Sequence, residues 1–174
     1  MSVIVARLIV PPDVDHNEFV TDYPALYERF GELIVSQTGM TDSPFGEGAS
    51  DSQLAALGFP LPDDYALLLR LTGNEVDPSL ITFPPEEISL LTVGQVTAED
   101  GKIAVARTRQ GVLLHLTGRG LILGDTVIAA GFGDLIGKYV RGLESGTLRI
   151  EKGPDGFTFT ANGEYVDREV FATL

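Results

Sequence analysis

Catalysis is best tested by its rarest ingredients, and the chain has only two histidines, His16 and His115, neither with an attractive partner nearby in sequence. His115 sits between Leu114 and Leu116 in an alternating segment and so faces away from them; a solvated or hydrogen-bonded structural role is the simpler reading. His16 lies at a helix start among Asp13, Asp15 and Glu18, where capping or surface exposure is the default. A metal site of histidines and carboxylates assembled by folding stays open, but no ligand spacing announces one. The absence of cysteine removes disulfides, thiolate zinc sites, iron–sulfur clusters and a cysteine nucleophile in one step.

Paired carboxylates are plentiful: Asp63 with Asp64, Glu86 with Glu87, Glu99 with Asp100. Adjacent residues on a helix point in different directions, so neither helical pair makes an acid and base dyad by itself. The first two pairs most simply favour helix N-termini and the third a turn, with partner contact as the other use. There is no Gly-x-Ser-x-Gly elbow, no phosphate loop ending in Gly-Lys-Ser or Gly-Lys-Thr, and no calcium-loop spacing. One order imitates a dinucleotide site: a strand at 126–130, Gly131-Phe132-Gly133, a helix, a strand, then Glu151. Two features argue against it. Ile136 stands where the third glycine should, and only 23 residues follow Glu151, too few for the rest of a doubly wound sheet. The sequence therefore calls for no catalytic residues, cofactor or metal.

The elements that would carry these residues are legible in part. Residues 3–10 are apolar, but Arg7 interrupts them and Pro11 and Pro12 close them, which reads as a strand rather than a signal segment. Residues 15–38 carry apolar positions at helical spacing, with Pro24 expected to kink or split the helix. Residues 39–50 read as an exposed loop. Ser50 and Gln53 have capping-box spacing ahead of a short helix that Gly58 stops. Pro62, Asp63 and Asp64 open a second helix that ends at Gly73, and its leucines make it central. Pro84, Pro85, Glu86 and Glu87 read as the start of another short helix ending near Leu91. Strands follow at 93–98, 102–107 and 112–117, turning at Asp100-Gly101 and Gln110-Gly111. A strand at 126–130, a helix at 134–143 and a hairpin of 147–151 with 157–161, turning at Pro154-Asp155-Gly156, complete the chain. The expected class is α+β: N-terminal helices packed on a mainly antiparallel twisted sheet, with a late helix and a C-terminal hairpin.

At 174 residues, 44% hydrophobic and 21% charged, with a mean hydropathy of +0.15, the chain matches one globular domain that folds without staples. No run approaches the ~18 apolar residues of a membrane helix, and the chain reads as cytoplasmic. Its net charge of −13 is uneven. Residues 1–100 hold 17 Asp and Glu against 3 Lys and Arg, whereas residues 101–174 hold 8 against 9. Such a field repels phosphate backbones and anionic membranes, and it would steer a basic protein inward. Solubility alone explains the acidity equally well.

The run Leu54-Ala55-Ala56-Leu57-Gly58-Phe59-Pro60-Leu61-Pro62-Asp63-Asp64-Tyr65, continuing through Leu71-Thr72-Gly73-Asn74, resembles the opening signature of the SUKH superfamily. That pattern is a short helix, leucine-glycine, leucine-proline, then an aromatic-containing helix ending near asparagine and glycine, a pair reversed here. Pro85-Glu86-Glu87-Ile88 resembles the family's second marker and residues 132–143 its closing helix, so the resemblance touches residues 50–143 of a single domain spanning 1–174. It implies a mixed fold whose antiparallel sheet is a binding scaffold without enzyme activity. Members are mostly bacterial immunity proteins that neutralise toxins, many of them nucleases, and a fungal member regulates cell-wall synthesis. The expectation is a non-catalytic module that binds a basic toxin domain, or, alternatively, a cytoplasmic scaffold or regulator of an endogenous protein. Glu75, Asp77, Glu86 and Glu87, acidic and beside expected loops, are the candidate partner contacts. No motif specifies an oligomeric state.

Overall fold

A computed structural model describes residues 22–40, 47–74 and 81–174. The expected strand at 3–10, the expected helix before residue 22, the loop at 41–46, His16, and the candidate contacts Glu75 and Asp77 lie outside the described residues.

Within the described residues Pro24 occupies the first turn of α1 (Tyr23–Thr38), where its missing N–H is no loss, and Asp22 caps that turn by accepting from the Ala25 N–H at 3.1 Å. Gly39 ends α1 at a φ of 70°. The capping box of α2 (Asp51–Ala55) is as the spacing predicts: the Gln53 N–H donates to Ser50 Oγ and the Ser50 N–H to Gln53 Oε1. In α3 (Asp63–Thr72), Tyr65, Leu68, Leu69 and Thr72 are buried, whereas Leu71 is exposed. Gly73 is required at its exit, because a Cβ there would lie 2.5 Å from the Leu69 carbonyl oxygen. Asn74 then ties α2 to α3 by bonding Gln53 and the Gly48 carbonyl.

Two sheets follow. β1 (Ile81–Thr82) and β2 (Ser89–Leu90) flank a tight turn, and β3 (Thr97–Glu99), β4 (Lys102–Arg107), β5 (Leu113–Thr117), β6 (Gly120–Leu123) and β7 (Thr126–Ala129) form a meander. β4 through β7 pair antiparallel in sequence order, with β2 and β3 sharing the outer edge of β4. The hairpin turns at Asp100-Gly101 and around Gly111 form as expected, Asp100 and Gly101 both at positive φ. Most of 93–98 is not strand. Val93 and Val96 are buried three residues apart, a turn-like spacing, and the N–H groups of Gln95 and Val96 both return to the Thr92 carbonyl. β6 has no counterpart in the expected elements; its signal is the pair of turns that bracket it, Gly118-Arg119 and Gly124-Asp125.

After α4 (Phe132–Ser145) the hairpin β8 (Leu148–Gly153) and β9 (Gly156–Ala161) builds the second sheet. The far edge of β9 carries two short strands, β1 in parallel (Ile81↔Phe157) and β10 (Glu164–Tyr165) antiparallel. A last helix, α5 (Arg168–Ala172), has no counterpart in the expected elements; Asp167 is its N-cap, accepting from the Val170 N–H at 2.8 Å. The C-terminal hairpin thus belongs to its own four-stranded sheet. α4 joins the two layers, packing on β7 of one sheet and β8 of the other as well as on α1 and α3. The class is the α+β expected.

Four rings from four elements meet between the layers: Phe30 of α1, Phe83 after β1, Tyr139 of α4 and Phe159 of β9, with centroids 5.5–6.5 Å apart. The void beside them is only about 10 Å³ and apolar, so it stays dry and admits no ligand.

Candidate functional site

The turn from Phe83 to Ile88 departs most from its expected helix. Reciprocal backbone bonds between Phe83 and Ile88, at 2.9 and 2.8 Å, close it as a hairpin, and Glu86 and Glu87 both adopt the left-handed region at φ 59° and 52°. Phe83 and Ile88 are buried in the core, and their anchoring forces the four residues between them out of the helix that Pro-Pro-Glu-Glu would otherwise begin. Left-handed geometry disfavours any residue with a Cβ, so other contacts must hold it. They come from distant elements. The Glu86 N–H donates to the Val166 carbonyl at 2.9 Å, and the Tyr139 hydroxyl donates to the Pro84 carbonyl. Arg168 of α5 grips the Glu86 carboxylate bidentately along one edge of its guanidinium, Nε donating to Oε1 at 2.6 Å and Nη2 to Oε2 at 3.0 Å, while Nη1 donates to the Leu123 carbonyl at 3.1 Å.

Glu86 is therefore committed to the fold: only 14% of its side chain is exposed. Replacing Arg168 by alanine leaves that carboxylate half-buried without its donor. The expected cost is about 2 kcal/mol, read by urea unfolding. An unchanged midpoint would show the clamp to be ornamental.

Glu87 points the other way, into a groove of about 400 Å³ between the turn, the β4–β5 loop and the β8–β9 hairpin. Its Oε1 lies 3.4 Å from Arg109 Nη1, whose Nη2 donates to Asp155 at 2.9 Å. Both guanidinium groups are held further above their ordinary range, Arg109 by Asp155 first and then Glu87, Arg168 by Glu86. Tyr165, half exposed on β10, stands near enough to Glu86 and Glu87 that their charges add to burial in raising its phenol.

The other carboxylate pairs serve structure. Asp64 bridges two helix starts, accepting from the Tyr65 N–H at 2.8 Å and from the Gly133 N–H at 2.9 Å. This explains the dinucleotide-like glycines. A Cβ on Gly131 would crowd Asp64, and one on Gly133 would lie 2.1 Å from the Tyr23 ring, so the glycines admit the protein's own groups where a pyrophosphate would sit. Glu151 lies on β8, in a different sheet from β7, so no parallel strand-helix-strand unit exists here. His115 alternates with buried Leu114 and Leu116 on β5 as expected. Among the described residues no three His, Asp or Glu side chains converge as a metal site would require, and no helix is long and apolar enough to cross a membrane.

No family model, curated protein or solved structure matches the chain.

On the helical layer formed by α1–α3, Asp22, Glu28, Glu32, Glu47, Asp51 and Asp63 are exposed, against Arg29 and Arg70 among the described residues there, each already paired to an acid. On the strands and their turns the exposed Lys102, Arg107, Arg109, Arg119, Arg149 and Lys152 are balanced by the exposed Glu99, Asp100, Asp125, Glu151, Asp155 and Glu164, so the strands carry no exposed acid excess and α1–α3 carry one.

Proposed function

We infer that the chain is a non-catalytic protein-binding module of the immunity type, working in the cytoplasm, where it binds and neutralises a basic toxin domain. The observation that carries this reading is the acidic helical layer, whose field would draw a basic surface toward it and raise the encounter rate. The resemblance of residues 50–143 to the SUKH superfamily supports it. So does the use of Asp22, Asp64, Asp134 and Asp167 as acceptors of backbone N–H groups at helix starts, and of Asp51 as the ion-pair partner of Arg70, placements that serve the fold.

The test is affinity capture with the tagged full-length chain from its native lysate at low and moderate salt. Recovery of one basic toxin domain, lost as salt rises, is the expected result. Recovery of endogenous household proteins alone would replace the immunity reading with that of a regulator. Once a partner is in hand, reversing Glu28 and Asp63 to lysine should slow association roughly tenfold at low salt and flatten its salt dependence. An unchanged association rate would move the interface off the helical layer.

A further inference from the structure

One edge of the meander stays open beside the place where the chain enters the fold. Among the described residues β7 pairs with β6 alone, and Val127 in its middle is 43% exposed. Leu123 and Thr126 close the two-residue turn between those strands, so Val127, opposite Ile122, belongs to a wide pair whose N–H and C=O point away from β6. Folded proteins cover or blunt such edges. The other long edges are managed already. That of β8 lies against α1, where the Ile150 N–H donates to Gln37 Oε1 at 3.1 Å. At the opposite margin of the meander β3 is three exposed residues ending in Glu99, short and charged.

The start of the described chain decides what can reach β7. The Tyr23 ring fills the space that a Cβ on Gly133 would need, and Gly131 follows β7 after one residue, Ala130. Residues 1–21 therefore join the fold beside the end of β7. Within them the run Val3-Ile4-Val5-Ala6-Arg7-Leu8-Ile9-Val10 holds five β-branched residues and no proline. Alternation puts Ile4, Ala6, Leu8 and Val10 on one face and Val3, Val5, Arg7 and Ile9 on the other. The wholly apolar face suits the side of β7 on which α4 and α5 pack. The face with Arg7 suits the solvent side, where Val127 stands across from Ile122. Residues 11–21 span up to about 36 Å and the four residues of β7 only about 13 Å, so the run can lie along that strand in either direction. Lys138 Nζ already donates to the Ile128 carbonyl at 3.0 Å, which centres the pairing on Val127.

We propose that residues 3–10 add to the free edge of β7 as the last strand of the meander sheet, covering Val127 and closing that edge to other chains.

The chain has no cysteine, so single engineered ones carry a spin label without interference. A nitroxide on Asp125→Cys, in the exposed β6–β7 turn, should broaden the amide signals of residues 3–10 in the isotope-labelled full chain. One on Ala98→Cys of β3, roughly 19 Å across the sheet from β7, should spare them. Equal broadening from both positions, or none from either, would overturn the proposal. Hydrogen exchange gives a second readout. In the full chain, Val5→Pro with Leu8→Pro should speed exchange of the Val127 amide at least about tenfold, because proline cannot complete the ladder. An unchanged rate would sink the idea, and should that variant fail to fold, the nitroxide measurement decides alone. Broadening seen only when spin-labelled chains are mixed with isotope-labelled, cysteine-free ones would seat the run on a second copy and overturn the intramolecular pairing. Both measurements are made without a partner, so their failure leaves the toxin-binding reading untouched, and failure to capture a toxin leaves the strand pairing untouched.

Discussion

Replacing Phe159 by alanine is expected to cost about 3–5 kcal/mol of unfolding free energy, the largest effect of any single truncation considered. The ring is 3% exposed and sits at the one point where four elements meet, with Phe30, Phe83 and Tyr139 at centroid distances of 6.5, 5.7 and 5.6 Å. Each of those neighbours comes from a different part of the chain. Truncation therefore removes the transfer free energy of a ring and three aromatic contacts, and leaves a cavity between elements that cannot all collapse into it. For a domain of this size the loss corresponds to a drop in Tm of roughly 8–16 °C, measurable by calorimetry. Phe159→Leu, which keeps most of the volume, should cost clearly less. If the two variants are equally destabilised, cavity formation is not the cause and the sheet position itself is being measured.

Alkaline pH should unfold the protein through three tyrosines. Burial raises the phenols of Tyr27, Tyr65 and Tyr139 well above 10, and Asp64 adds to the shift at Tyr27. The Tyr27 hydroxyl also donates to the Asp64 carbonyl at 2.8 Å, a bond that needs the neutral phenol. In the unfolded chain the same groups ionise near the ordinary phenol value of about 10. A folded pKa raised above the unfolded one means that the unfolded state holds fewer protons in the interval between them, so stability falls as pH rises. The contribution is fully present below pH 10 and is lost toward the higher folded values. Each tyrosine contributes a slope of about −1.4 kcal/mol per pH unit there, and the three together about −4 kcal/mol. Urea unfolding at stepped pH, with tyrosinate absorbance recorded alongside, tests it. Tyr27, Tyr65 and Tyr139 should ionise only as the fold is lost. Gradual ionisation of these three in a still-folded protein would refute the burial argument.

Both effects come from the packed interior, and the sequence carried that interior unevenly. Helical spacing marked Tyr27, Phe30, Leu33 and Ile34 as one face of α1, and all four are buried. Nothing local to Phe83 or Phe159 says that their rings meet Tyr139, because the contact joins residues from β1's turn, β9 and α4. The candidate site divides in the same way. Acidic type and proximity to a loop singled out Glu86 and Glu87, but not that one would be clamped and the other turned into a groove. Asp155 was visible only as part of a turn, and Arg109 and Tyr165 carried no signal of their own.

The sequence by itself determined the α+β class, the absence of thiol chemistry, the acid asymmetry, the capping box of α2, the proline start and glycine exit of α3, and the tight turns of the meander and the hairpin. All are either composition or dihedral and capping preferences satisfied within a few residues of one another. Tertiary structure alone decided that Pro84 to Glu87 would be a left-handed turn rather than a helix, that β1 would leave its neighbour β2 to pair with β9, and that Asp64 would cap α4 from 69 residues away. The physical reason is one of magnitude. Helix propensity discriminates by only about 0.7 kcal/mol per ordinary residue, whereas burying Phe83 and Ile88 and closing the Arg168 grip on Glu86, 82 residues distant, are each worth more. Where a long-range contact outweighs the local preference, the local preference yields.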